Sequence, residues 1–315
     1  MMPISKRSVV YISVSIAVFL WGVSFLWSNS ILQQGFPVFS LMFFRMTFAA
    51  IVLSIISFSL KKVTRIEKKD WGWFMLLVFL EPFLYFIGET VGLKTLGSPT
   101  ISSVIISTIP IFALMAGVLV YNERISSFNT VGITMTLPGI LLIVFEKGDI
   151  GIDKGTGILF LLMGVFAAVG YSLVVKKLAH KYNSYTIVTY QHILGSLYFL
   201  PFFAFLDLPG FSLSMLNFGI LKPLLFLSVL CSSLAFILFI NSIKELGVAR
   251  ANIFTSMVPV ISAFAAFMIG QDTMSIRKAL GVIVVVTGVI MAQHRKKTAS
   301  VSSKSGNVAT PPLSK

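Results

Sequence analysis

Apolar residues run through this chain in blocks too long for the elements of a soluble core, and polar residues gather in short stretches between them. A helix needs about 20 mainly apolar residues to cross a bilayer. On that criterion the pattern predicts ten spans, at 8–28, 37–60, 71–93, 98–121, 126–145, 155–175, 185–206, 221–243, 248–270 and 275–293. The most polar connections, 61–70, 146–154 and 176–181, are too short to form a soluble domain. The expected fold class is an all-α integral membrane protein with ten transmembrane helices.

Composition sharpens that reading. The chain is 56% hydrophobic and only 11% charged, with a mean hydropathy of +0.93, whereas soluble domains average about 25% charged residues. A net charge of +14 would suit nucleic acid, but no soluble basic domain is present to bind it. The basic residues flank apolar blocks instead, as in membrane proteins. With the N-terminus placed in the cytoplasm, 18 of the 25 Lys and Arg fall in cytoplasmic segments, six fall outside, and Arg45 lies within a span. This bias predicts that both termini are cytoplasmic. Residues 1–7 form a short leading segment, followed by a run without a convincing small-residue cleavage site, so the first span is read as uncleaved. Residues 294–315, with Ser, Lys and Pro311-Pro312, read as a disordered cytoplasmic tail. A single cysteine, Cys231, excludes an intrachain disulfide and reads as small core filler.

The chain also repeats itself. Pro110 and Pro259, Glu123 and Asp272, Gly132 and Gly281, and Gly139 and Gly288 are each 149 residues apart. Trp21-Gly22 meets Tyr171-Ser172 at an offset of 150. Two repeats are therefore expected, at 8–145 and 155–293, with five spans in each. Five is odd, so the second copy enters from the opposite side, giving inverted topology about an axis in the membrane plane. Pro110 and Pro259 are candidates for gating or helix kinks, with ordinary tolerated kinks as the alternative. The paired glycines should let helices approach closely. Ser126 and Ser275 are candidate helix caps.

Charges inside spans carry the sharpest chemical signal, since a central charge costs about 2.5–3.5 kcal/mol on insertion scales. Arg45, Glu81 and Glu89 are such charges. Arg45 lies about 12 Å below one end of its span at 1.5 Å per residue, a depth that Glu89 can match from the next span. The two can form a structural ion pair, or Arg45 can hold a substrate carboxylate with its planar fork. Glu81 precedes Pro82, with Tyr85 and Glu89 near the same helix face. A carboxylate there can bind a cation or an amine, or carry a proton, which raises proton coupling as a hypothesis. Trp21 sits mid-span, away from the interfacial aromatic belts. Gln191 and His192 open a seventh span too polar to face lipid throughout, and are candidates for lining the path; simple hydrogen bonding is the alternative for both. Asn241 and Ser242 in the eighth span are weaker candidates for the path, with interhelical glue as the alternative.

Enzyme signatures are missing: no Walker-type loop, zinc motif or nucleophile elbow occurs. His180, His192 and His294 are too far apart in sequence to suggest a metal cluster. No catalytic residue, metal or bound cofactor is expected.

Two five-span halves, Trp21-Gly22, Phe44-Arg45, and Pro110 followed by Glu123-Arg124 resemble the EamA family of the drug/metabolite transporter superfamily, over about residues 11–292. The resemblance implies a ten-helix inner-membrane permease, often an exporter of amino acids or other metabolites, with a central cavity and alternating access. Glu81 and Glu89 belong to no general pattern of that family, and Gln191 stands near the second-copy place of Arg45. The function expected is a secondary transporter of small polar metabolites, with amino-acid or amine export leading. Its partners are a small-molecule substrate and the lipid bilayer, without nucleic acid. A sugar or nucleotide-sugar carrier is one rival reading, and a membrane-embedded enzyme or lipid-handling protein is another.

Overall fold

A computed structural model describes residues 6–121, 126–144, 152–246, 251 and 254–292. Glu123, Arg124, the 247–250 segment and the predicted tail 294–315 lie outside the described residues. Among the described residues there is no strand. The helices are α1 (Lys6–Gln33), α2 (Val38–Ser59), α3 (Trp71–Val78), α4 (Tyr85–Leu96), α5 (Pro99–Ile106), α6 (Ile109–Tyr121) and α7 (Ser127–Val144). They continue as α8 (Ile152–Ala179), α9 (Ser184–Phe202), α10 (Phe218–Leu225), α11 (Ala235–Leu246), α12 (Val258–Met268) and α13 (Ile276–Ala292).

Among the described residues, six continuous helical stretches are long and apolar enough to cross a membrane: Ser8–Gln33, Val38–Ser59, Lys68–Leu96, Lys154–Ala179, Ser184–Gly210 and Phe218–Leu246. Shorter apolar helices lie at Pro99–Ala113, Ser127–Ile143 and Val258–Met268. The third predicted span is α3 and α4 joined by a π-helical stretch, Phe79–Leu84. The eighth is α10 and α11 joined by another, Phe226–Leu234. The fourth is broken at Ser107 and Thr108, between α5 and α6. The ninth is broken at Ser256 and Met257, immediately before α12.

These irregularities keep the sequence register. Ser107 and Ser256 are 149 residues apart, as are Pro110 and Pro259. Each proline is the second residue of the helix that follows its break. A proline lacks the N–H that the first turn of a helix leaves unused, so both prolines start helices and neither kinks a continuous one. Ser126 and Ser275 cap as expected: their hydroxyls accept from the Asn129 and Lys278 backbone N–H groups at 3.3 and 3.1 Å.

Helices from the two halves pack in pairs, α7 on α13 and α2 on α9. The α7–α13 contact is antiparallel, with Gly132 beside Gly288 and Gly139 beside Gly281. A β-carbon on Gly288 would sit 2.7 Å from the Gly132 carbonyl oxygen, and one on Gly281 would sit 2.9 Å from the Gly139 carbonyl oxygen. Only hydrogen fits in that space, so these glycines set the approach of the two backbones.

The remaining helices form two groups related by the same register. In one, α4, α5 and α6 pack on α8; in the other, α11 and α12 pack on α1. At one end the groups are tied together. The Ser98 hydroxyl donates to Asp272 at 2.5 Å, and the Ser262 hydroxyl donates to the Pro99 carbonyl at 3.3 Å. Burial works to raise the Asp272 carboxyl, but the bonds from Lys278 and Ser98 outweigh it and hold the group below the usual carboxylate range.

The opposite end carries the basic connections. There Lys181 and Tyr182 donate to Asp70 at 2.6 and 2.7 Å, and Lys244 donates to the Tyr182 carbonyl at 2.9 Å. The Lys181 and Tyr182 bonds hold the Asp70 carboxyl low, and its bonds to Asp70 and Glu67 push the Lys181 ammonium up.

Candidate functional site

A cavity of about 110 Å³ lies between the two helix groups. It begins at Ser24, Phe25 and Glu89 and runs towards Val175 and Ile243, at the end where the basic connections lie. Five residues singled out from sequence line it: Trp21, Arg45, Glu81, Tyr85 and Glu89.

Local structure explains how each one gets there. Glu81 lies in the π-helical stretch with φ −147° and ψ 118°, so the helix opens at that residue. Pro82 cannot donate to the preceding turn and so favours the opening. Tyr85 and Glu89 follow on α4, one turn apart, and stay on the cavity face. Both helix breaks border the same space: Ser107 and Ile109 reach it from one half, Thr255 and Val258 from the other.

Arg45 enters from α2 and is 4% exposed. Its Nε donates to the Ser232 hydroxyl at 2.8 Å, and its guanidinium carbon lies 4.3 Å from the centre of the Phe86 ring. A guanidinium carries five N–H donors. Among the described residues, the Nε bond to Ser232 is the protein hydrogen bond that Arg45 makes. The pairing with Glu89 that the depths allowed is not formed: among the described residues no ion pair within 4.0 Å joins Arg45 to either glutamate. Glu89 Oε2 is buried without a hydrogen-bond partner. The cavity therefore offers one cation and two carboxylates that leave each other's hydrogen-bonding capacity unspent.

Aromatic rings form much of the remaining wall. The Trp21 indole N–H donates to the Cys231 carbonyl at 3.2 Å, and its ring packs edge-on against Phe236 and Phe239. Tyr171, the repeat counterpart of Trp21, lines the same cavity. Cys231 is fully buried filler, as expected, and its thiol also contacts the Leu20 carbonyl at 3.3 Å.

Gln191 and His192 stand behind this wall and do not line it. Gln191 accepts the Tyr171 hydroxyl at 3.0 Å. The His192 ring packs edge-on against Phe236, with Nδ1 2.8 Å from the Val188 carbonyl. Both side chains are completely buried, and Gln191 Nε2 and His192 Nε2 have no hydrogen-bond partner among the described residues. Asn241 does act as glue, accepting the Ser184 hydroxyl at 2.6 Å. Among the described residues, no group of three His, Cys, Asp or Glu could hold a metal ion.

Sequence reasoning passed over Ser232, Phe86 and Tyr171 as site residues. Tyr171 was findable, because it occupies the place of Trp21 in the second copy. Ser232 and Phe86 carry no such mark.

A polytopic helical protein with an internal duplication and a central cavity between its two helix groups is the class defined so far. The EamA-like transporter family matches this chain twice, over residues 8–145 and 155–292. The chain belongs to that family. It is similar to the uncharacterized transporter YetK of Bacillus subtilis (strain 168), with 25% identity across 93% of this chain and 89% of that protein. It is also similar to an uncharacterized transporter of Archaeoglobus fulgidus, with 23% identity across 92% of this chain and 99% of that one. A crystal structure of another protein shares the fold at a TM-score of 0.70 and 16% identity, covering 91% of this chain and 99% of that chain. The protein is a multi-pass membrane transporter.

Proposed function

We propose that this transporter carries a small zwitterionic metabolite of the amino-acid type out of the cell across the inner membrane. One observation carries the reading. Arg45 and Glu89 share a cavity, both are buried, and neither satisfies the other. An unpaired buried charge is costly, and a zwitterion completes both groups at once. Its carboxylate would take the guanidinium fork. Its ammonium would take Glu89 or Glu81, with aromatic faces nearby to support a cation.

Ten spans in two inverted repeats and cytoplasmic termini fit the matched helix breaks, the antiparallel α7–α13 contact and the distribution of basic residues. In that orientation the cavity faces the cytoplasm. The Ser98–Asp272 tie and the Ser262–Pro99 bond would close the far side. Transport would then alternate as the two helix groups part at one end and meet at the other. Glu81 and Glu89 are the groups through which a proton gradient would drive the cycle.

The test is flux into proteoliposomes, screened over amino acids, amines and sugars, with and without a pH gradient. Wild type is compared with Glu81→Gln and Arg45→Ala. Saturable amino-acid flux, driven by the gradient in wild type and lost in both variants, is the expected result. Flux of sugars alone, or amino-acid flux that survives Arg45→Ala, would overturn the zwitterion reading. Gradient-independent flux retained in Glu81→Gln would keep the carrier and remove Glu81 from the coupling.

A further inference from the structure

Arg45 is held in place by the other half of the chain. Its Nε bond runs to Ser232, which is fully buried in the π-helical stretch between α10 and α11. The same stretch supplies the Cys231 carbonyl that anchors Trp21. Within it, the Ser233 hydroxyl donates to the Ser228 carbonyl five residues back, at 2.9 Å. Extra residues in a π turn shift the faces of a helix relative to a regular α-helix, which lets one short stretch serve both partners.

We infer that Ser232 is a positioning residue for substrate, orienting Arg45 so that the transporter favours solutes with an anionic end. An arginine can meet a carboxylate through the edge formed by Nε and one terminal nitrogen, or through the fork of its two terminal nitrogens. Ser232 takes Nε. Phe86 covers one face of the guanidinium at 4.3 Å. One in-plane contact and one face contact fix the plane of the group, and the terminal fork stays available to the cavity. An acidic residue at position 232 would neutralise Arg45, whereas a serine holds it and leaves its charge for the solute.

Ser228 supplies the contrast. It is equally buried on the same stretch, but its hydroxyl donates to the Leu224 carbonyl at 2.7 Å, within its own helix. Removing it touches the helix without touching Arg45.

This inference rests on the zwitterion reading, and the experiment separates the two. Flux is measured for leucine against isoamylamine and for phenylalanine against phenethylamine, pairs that differ by the carboxylate. The proteins are wild type, Ser232→Ala, Ser232→Thr and Ser228→Ala. In Ser232→Ala the KM for the amino acids should rise about tenfold, equivalent to about 1.4 kcal/mol. Its kcat, and its KM for the amines, should stay within about twofold, since the carboxylate contact is weakened equally in the ground state and the transition state. Ser232→Thr should restore the wild-type ratio and Ser228→Ala should match wild type. Equal changes for amino acid and amine, or no change in Ser232→Ala, would overturn the inference.

A second readout needs no transported solute. Phenylglyoxal modification is followed by mass spectrometry at individual arginines. Ser232→Ala should speed modification of Arg45 several-fold, leaving Arg65 unchanged. If wild type carries no amino acid, the zwitterion reading fails; an Arg45 modification rate unaltered by Ser232→Ala refutes the positioning role independently.

Discussion

The tie at the Ser98 end makes a prediction whose size follows from burial. Lys278 and Asp272 form an ion pair at 2.6 Å with side chains only 4% and 10% exposed. Asp272 also accepts from the Ser98 hydroxyl, which in turn accepts from the Ile101 N–H at the start of α5. Asp272→Ala therefore cuts the link between the helix groups and removes the carboxylate that pairs with Lys278, whose ammonium keeps its bond to the Thr273 carbonyl at 3.0 Å. Breaking a buried pair from one side costs about 3–5 kcal/mol. The slight exposure and the remaining carbonyl place this case near about 3 kcal/mol on that scale. Lys278→Met leaves Asp272 its bonds from Ser98 and the Thr273 N–H, so about 2 kcal/mol is expected, within the usual range for a bond to a charged group. The double variant should lose less than the sum of the singles, by about 1–3 kcal/mol, because it removes both members of the pair together. The assay is reversible unfolding in mixed micelles by titration with SDS. An Asp272→Ala stability within about 0.5 kcal/mol of wild type, below the cost of any named mechanism, would refute the reasoning; so would strict additivity in the double variant. The pH dependence has a definite sign. Asp272 is held below its ordinary value of 3.8, so its contribution is present above that pH and is lost as pH falls through the lower folded value. Wild type should lose stability on acidification below about pH 4 by more than Asp272→Ala does.

Gly288→Ala should destabilise by about 1–3 kcal/mol, since its β-carbon would meet the Gly132 carbonyl oxygen at 2.7 Å. Gly72→Ala, with nothing within 4 Å, should be neutral in the same titration. Trp21→Phe removes the bond to the Cys231 carbonyl at 3.2 Å; it should cost about 1 kcal/mol and lower flux without abolishing it. Arg45→Lys keeps the charge but loses the planar fork; it should raise the KM for amino acids at least as much as Ser232→Ala, and an unchanged KM would show that the fork is not used.

The spans, the duplication and the three interior charges were legible because each depends on one-dimensional patterns: apolar length, register, and charge within an apolar block. The glycine contacts followed from the same register. What escaped depended on three dimensions. A serine inside a helix ordinarily bonds to its own preceding turn, as Ser228 does, so nothing in sequence separates it from Ser232, which accepts from Arg45. Gln191 and His192 were read as lining a path because they are polar in an apolar setting; they lie behind the wall instead, Gln191 bonded to Tyr171 and His192 packed on Phe236. Pro82 hinted at an opening in the third span. The matching π-helical stretch at Phe226–Leu234 holds no proline itself; Pro223 precedes it on α10.

The α7–α13 contact has the form of a homodimer interface within a single chain: each glycine meets the counterpart of the other, Gly132 with Gly288 and Gly139 with Gly281, as i meets j and j meets i across a two-fold axis. A true dimer must carry every residue twice, so a carboxylate at one helix opening obliges a carboxylate at the other. Fusion removes that obligation. Here one opening carries Glu81, and the other, 151 residues later, carries Ser232. The two halves share a register while the residues at their helix openings differ, so the two openings are chemically distinct.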